Sequence, residues 1–159
     1  MSGKVAIVIG SRSDAELMKQ AKDVLKELGV ESEMMVMSAH RTPDFAIDFA
    51  KNADKNGFEV IIAGAGLAAH LPGVMAGVSS LPVIGVPIKS GALNGVDSLY
   101  AIVQMPPGVP VATVAIDGAK NAGILAAQML AIKYADVKEA LSKYKIEMAE
   151  KVNPGRIDI

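Results

Sequence analysis

The two histidines of this chain stand in equivalent settings. His40 follows the apolar run Met34-Met35-Val36-Met37 within Ser38-Ala39-His40-Arg41-Thr42-Pro43. His70 follows Val60-Ile61-Ile62-Ala63 within Gly64-Ala65-Gly66-Leu67-Ala68-Ala69-His70-Leu71-Pro72-Gly73. Each imidazole thus lies just past the expected C-terminal end of a buried strand, near a helix start. Ligands of open parallel α/β sheets bind at that edge. Histidine is also the side chain best suited to moving a proton near neutral pH. Arg41, one of three arginines, carries a guanidinium fork that suits phosphate. With Ser38 and a helix start beside it, the string reads as a site for an anionic substrate; the competing reading is a plain helix start at Thr42-Pro43 with Arg41 solvated.

Two further strings carry chemistry less specifically. Gly10-Ser11-Arg12-Ser13-Asp14 lies between an expected strand and helix, where backbone N–H groups and the Ser11 and Ser13 hydroxyls favour an anion. Asp14 suits ribose hydroxyls. The competing reading is ordinary capping, with Ser13 and Glu16 forming a capping box. Gly64-Ala65-Gly66-Leu67-Ala68-Ala69 matches the loose dinucleotide pattern G-x-G-x-x-A. It falls after the third strand, however, and no acidic residue ends the next one. Its glycines are expected to let a substrate approach the backbone. His70 either touches that substrate or is a buried histidine satisfied by a carbonyl. No Walker P-loop and no G-x-S-x-G elbow occurs. Gln104-Met105-Pro106-Pro107-Gly108 reads as a connector or as one wall of a pocket.

The elements that position these strings follow from periodicity. Strands are expected at 4–9, 32–37, 59–63, 82–87 and 110–116. A helix from about 14 to 28 presents Leu17, Ala21, Val24, Leu25 and Leu28, and Gly29 closes it. A helix from Pro43 has Thr42 as N-cap and Phe45, Ile47, Phe49 and Ala50 as apolar positions. Shorter helices follow near 71–79 and within 88–103, then helices at 119–132 and 135–151. Alternating strands and helices imply an α/β three-layer sandwich, a five-stranded parallel sheet with helices on both faces. The flavodoxin-like order 2-1-3-4-5 suits it. The tail Asn153-Pro154-Gly155-Arg156 is expected to be loose or docked on a neighbour.

Composition narrows the function classes. A chain of 159 residues suits one domain with one sizeable core. A net charge of −1 argues against nucleic acid or an anionic membrane as the main partner. The lack of cysteine excludes disulfides, thiolate catalysis and zinc–cysteine sites, and two histidines disfavour a histidine-rich metal site. Hydrophobic residues make up 51% of the chain, and the mean hydropathy is +0.34. No charged residue occurs from Val60 to Ile88. Glycines and prolines break that run into strand, turn, short helix and strand rather than a membrane span. A helix bare of charge on every side needs a cover, and another subunit is the expected one. The N-terminal residues lack a signal-peptide layout, so the expected location is cytoplasmic.

Taken in order, GSRSD, SAHRTPD, VIIAGAGLAAHLPG, LPVIGVP, ALNGVDSLYAIVQMPPGVPVATVAI and NAGILAAQ resemble the class I N5-carboxyaminoimidazole ribonucleotide mutases of purine biosynthesis. The resemblance runs from near residue 5 to about 130. It implies an isomerase without vitamin or metal cofactor that moves a carboxylate from an exocyclic nitrogen to ring carbon C4 of an aminoimidazole ribonucleotide, with carbon dioxide as intermediate. On that resemblance His40 is the catalytic acid and base. Ser11, Ser13, Ser38 and Arg41, with Ala39 beside them, form the phosphate cradle, and Asp14 is the ribose ligand. The Gly64–His70 stretch, with Ala65, Gly66, Leu67, His70 and the adjoining Leu71, is the wall along imidazole and carboxylate. The resemblance further implies a homo-octamer with sites at subunit junctions. The 135–159 segment and the small-residue helix at 119–132 are expected to pack on neighbours. Functional coupling to the ATP-dependent synthase that makes the labile substrate is left open.

Two positions depart from the family pattern. Leu67 stands where many relatives place glycine, which narrows the pocket mouth, and Asp117-Gly118-Ala119-Lys120 is shorter than usual. A sister class adds free carbon dioxide to aminoimidazole ribonucleotide. It tends to have lysine where Arg41 stands and lacks AAHLPG, so both features favour the mutase. A non-catalytic nucleotide-binding module would need Ser11, Asp14 and Arg41 but not His40. A structural subunit would need none of them.

Overall fold

The apolar run Lys4–Ile9 forms β1, the strand on which the sheet is built. In the computed structural model, which describes residues 3–152 and 155, β1 pairs in parallel with β2 (Glu31–Val36) on one side and β3 (Val60–Gly66) on the other. Beyond β3 come β4 (Val83–Ile88) and a two-residue β5 (Ala112–Thr113), giving the order β2-β1-β3-β4-β5. This is the expected flavodoxin-like order.

Alternation along β1 splits the core into two layers. Val5, Ile7 and Ile9 point into a cluster with α1 (Ala15–Glu27), α5 (Ala119–Leu130) and the first half of α6 (Ala135–Val152). Ala6 and Val8 point the other way, toward α2 (Pro43–Asn52), α3 (Leu71–Val78) and Ile102 of α4 (Val96–Val103). The uncharged run from Val60 to Ile88 is explained by this sandwich. Both β3 and β4 are buried on both faces, as parallel strands covered by helices must be. No helix of the described residues is long and apolar enough to cross a membrane.

Several expectations are corrected. β5 is two residues long, not the run 110–116. Along β4 the carbonyls of Gly85 and Pro87 accept from Val114 and Asp117, so the N–H that Pro87 lacks would have faced this edge. Without that donor the ladder stops after Thr113. α1 buries Met18 as well as Ala21, Val24 and Leu25, and leaves Leu17 half-buried. α2 rests on Ala46 and Ala50, followed by Ala53, while Phe45 is 60% exposed. Small residues at that spacing let the helix lie close to the sheet and turn Phe45 outward.

The Ala- and Gly-rich face of α5 packs on α1 of the same chain. A Cβ at Gly123 would stand 2.5 Å from Val24 Cγ1 and 2.8 Å from the Ala21 carbonyl oxygen. Val137 and Leu141 of α6 also join their own chain's core, while Ile146, Met148 and Val152 stay exposed. Of the tail, Asn153, Pro154 and residues 156–159 lie outside the described residues.

Candidate active site

Three loops at the C-terminal ends of β1, β2 and β3 meet at one sheet edge, and each is shaped by short-range hydrogen bonds. After β1 the chain enters a single 3-10 turn at Arg12–Asp14. Ser11 Oγ accepts from the Ser13 N–H at 3.4 Å and from Ser13 Oγ at 2.9 Å, and Ser13 Oγ also lies 3.2 Å from Asp14 Oδ1. The capping box is therefore not formed: Ser13 turns to Ser11 and Asp14, and α1 has no side-chain cap bond. The serines instead hold their hydroxyls at the open edge.

After β2, Ser38 organises the next loop. Its Oγ accepts from the N–H groups of His40 at 3.3 Å and Arg41 at 3.1 Å. Thr42 is the N-cap by position, but its hydroxyl makes no cap bond to α2. It accepts from the Ser38 N–H at 2.9 Å and donates to the Ser38 carbonyl at 3.2 Å, pinning the turn. Arg41 Nη2 donates to the Gly10 carbonyl at 2.9 Å, which ties this loop to the first. A guanidinium has five N–H donors, so others stay free for an anion.

β3 runs through Gly64-Ala65-Gly66 as strand, three residues further than expected, so no strand–turn–helix dinucleotide cradle exists there. Gly64 does not serve a ligand. It is buried, and a Cβ would stand 2.7 Å from Met18 Sδ of α1. Gly66 makes room for Ser90, with a Cβ 2.6 Å from Ser90 Oγ. Leu67 then adopts a left-handed backbone, φ +53°. A leucine there costs about 1–2 kcal/mol, which is why glycine suits this position. His70 opens α3, its carbonyl accepting from Val74.

These loops enclose a cleft of about 380 Å³. All twelve expected residues line it: Ser11, Ser13 and Asp14 from the first loop, Ser38, Ala39, His40 and Arg41 from the second, and Ala65, Gly66, Leu67, His70 and Leu71 from the third. His40 Nε2 and His70 Nδ1 are 2.7 Å apart with the rings nearly perpendicular, so one imidazole donates to the other. The buried reading of His70 is corrected: the ring is exposed and bonded to His40, not buried against a carbonyl. Burial pushes the Asp14 carboxyl above its ordinary value, against opposing hydrogen bonds from Ser13 and Ser11 and the charge of Arg41.

Ser90 also lines the cleft and was missed by the sequence reading, as were Gly10 and Ala68 as individual residues. Its hydroxyl is buried without a hydrogen-bond partner. Lys89-Ser90-Gly91 follows β4 at the same sheet edge, so the rule that found the histidines pointed to it too. The Gln104–Gly108 segment is a connector between α4 and β5 and does not reach the cleft. Among the described residues no group of three or more His, Asp or Glu is placed to share a metal ion.

Comparison with known proteins gives this geometry a family. Residues 4–151 match the family model for AIR carboxylase. The chain belongs to the AIR carboxylase family. It is 58% identical over 149 residues to the N5-carboxyaminoimidazole ribonucleotide mutase of Thermotoga maritima, covering 94% of this chain and 87% of that protein. It is 61% identical over 145 residues to the mutase of Pyrococcus abyssi, covering 91% and 83%. The crystal structure of Treponema denticola PurE superposes with a TM-score of 0.86 at 27% identity, covering 94% of each chain. In this member of the AIR carboxylase family, the histidines of the strings SAHRTPD and AAHLPG meet in the cleft.

Proposed function

We propose that this chain is an isomerase of purine biosynthesis that converts N5-carboxyaminoimidazole ribonucleotide to 4-carboxy-5-aminoimidazole ribonucleotide. The observation that carries the reading is the meeting of His40 and His70 at 2.7 Å, in a cleft that Arg41, Ser11, Ser13 and Ser38 also line. Relatives that share more than half of its residues over most of the chain bear the mutase name.

The division of labour follows from the side chains. Arg41, Ser11, Ser13 and Ser38 offer charge-assisted and hydroxyl donors to the phosphate. Asp14 accepts from the ribose hydroxyls. The Ala65–Leu67 backbone and Leu71 lie along the base. His40, as imidazolium, protonates the carbamate nitrogen; the N–C bond breaks, its electron pair stays on nitrogen, and carbon dioxide is released. C4 attacks that carbon dioxide, and the C4 proton passes to His40, which returns to its starting state. One acid/base serves both proton transfers. His70 orients the His40 ring and shares its proton. The benefit comes from holding carbon dioxide beside C4 and excluding water.

Assembly as a homo-octamer and a cytoplasmic location are part of this proposal. Val96, Tyr100 and Val103, at one-turn spacing on α4, are 43%, 61% and 47% exposed, with Leu93 beside them at 61%. Such a stripe on a small domain suits a subunit contact.

The deciding experiment follows ultraviolet absorbance when the protein meets freshly made carbamate substrate without added bicarbonate. Prompt C4-carboxylated product above the spontaneous rate is the expected result. Product formed only from aminoimidazole ribonucleotide under high carbon dioxide would reassign the chain to the carboxylase reaction. His40→Asn is expected to keep the fold and bind nucleotide but lose turnover; near-normal turnover would remove His40 from the chemistry.

A further inference from the structure

A serine hydroxyl taken out of water is as a rule satisfied inside the fold. Ser98 of α4 follows that rule. It is fully buried, and its hydroxyl donates to the carbonyls of Ile88 at 3.2 Å and Gly95 at 2.8 Å. Ser90, in the loop that follows β4, does not. Its Oγ is out of contact with solvent and has no hydrogen-bond partner, one of two such side-chain atoms among the described residues. The other, Asp97 Oδ1, belongs to α4 and stands outside the cleft lining, whereas Ser90 is part of it. A Cβ at Gly66 would stand 2.6 Å from Ser90 Oγ, and a Cβ at Gly91 would stand 2.8 Å from Leu67 Cδ2. The pairs 66–67 and 90–91 are therefore pressed together, and the hydroxyl fills the space that a side chain at Gly66 would take. A buried polar atom without a partner costs stability, and for one in a cleft wall the partner to look for is a ligand.

The strand order indicates which part of a ligand that is. β2 leads into Arg41 and β4 into Ser90, with β1 and β3 between them. Arg41 reaches the Gly10 carbonyl, while Ser90 lies against Gly66. Under the mutase reading, on which this inference rests, Arg41 serves the phosphate and the Ala65–Leu67 wall lies along the base and its carboxylate. That carboxylate is charged in the substrate and charged again in the product, and its oxygens accept hydrogen bonds in both. We propose that Ser90 is a carboxylate-binding residue of this cleft: its hydroxyl turns about the Cα–Cβ bond to another staggered position and donates to the carboxylate of the bound nucleotide. The bond is charge-assisted, hence stronger than one to a neutral acceptor. Because the group is uncharged only while it is carbon dioxide, the hydroxyl serves binding of substrate and product.

The test compares wild type with Ser90→Ala by calorimetric titration with two nucleotides that differ in the carboxylate alone, aminoimidazole ribonucleotide and 4-carboxy-5-aminoimidazole ribonucleotide. The melting temperature of each protein without nucleotide is measured alongside. The expected result is that Ser90→Ala binds the carboxylated nucleotide about tenfold more weakly and the uncarboxylated one as wild type does. Its melting temperature is expected to be unchanged or raised, because an unpaired buried hydroxyl has been removed. Unchanged affinity for the carboxylated nucleotide overturns the proposal. Equal loss for both nucleotides overturns it too, since the hydroxyl would then shape the cleft rather than recognise the carboxylate. A lowered melting temperature overturns it by showing that the hydroxyl supports the fold itself. A wild type that binds neither nucleotide overturns the mutase reading, and the proposal with it.

Discussion

Arg41 holds two loops together before any substrate arrives. Its Nη2 bond to the Gly10 carbonyl fixes the guanidinium plane over the first loop, so the fork is already in place for the phosphate of the proposed substrate. Lysine keeps the charge but not the fork. Arg41→Lys is expected to weaken nucleotide binding roughly tenfold or more, read by calorimetric titration. Asp14 gives a prediction with a definite sign. Its carboxyl is raised above 3.8 mainly by burial, so the folded state prefers it protonated. Between 3.8 and the raised folded value the native state binds more protons than the unfolded one, and stability falls as pH rises. At neutral pH the full penalty is present. Asp14→Asn should therefore raise the melting temperature of the ligand-free protein near pH 7, flatten its pH dependence in the weakly acidic range, and weaken nucleotide binding. A melting temperature unchanged or lowered near pH 7 would show that burial does not dominate at this carboxyl.

At the scale of elements, the decisive device is close approach through small residues. α5 reaches α1 because Gly123 has no side chain, and the Ala21 carbonyl 2.8 Å from the missing Cβ is backbone that cannot rotate away. Alanine gains up to about 1 kcal/mol of helix propensity. Overpacking costs about 1–3 kcal/mol, and here the obstacle is rigid, so the loss wins. Gly123→Ala is expected to lower the urea midpoint with little change in slope. Helix periodicity located α1, α2 and α5 but misjudged their contacts. Phe45 was expected in the core and stands outside it, because Ala46 and Ala50 bring α2 nearer the sheet than a phenylalanine would allow. The α5 face was expected on another subunit and serves α1. The short Asp117–Lys120 segment has a clear physical account. Asp117 takes a left-handed backbone, φ +59°, and its carboxylate accepts from the Lys89 N–H at 2.8 Å, which turns the chain directly into α5.

At the scale of the whole molecule, the sheet order carries the site. Placing β1 between β2 and β3 brings the Gly10–Asp14 loop between the two histidine loops, so the Ser11, Ser13 and Arg41 donors and the two imidazoles share one cleft. The exposed stripe on α4 and the exposed Ile132 and Ile146 lie away from these residues in sequence, and they leave the chain more apolar outside than a small monomer needs. Light scattering at micromolar concentration is expected to report an oligomer of the octamer's mass. A monomer there would contradict the assembly.

The histidines, their place at strand ends, the arginine beside one of them and the alternation of strand and helix were all legible in the chain, because short-range periodicity and residue chemistry determine them. All twelve residues expected at the site, from those strings and from the family resemblance they carry, line the cleft. Tertiary structure alone decided which atoms meet. The 2.7 Å contact between residues thirty apart, the Arg41 bond to Gly10, the rest of Leu67 on Gly91 and the place of Ser90 depend on how the loops lie across the sheet edge. No local pattern encodes those distances, since each is set by the packing of strands and helices far apart in the chain.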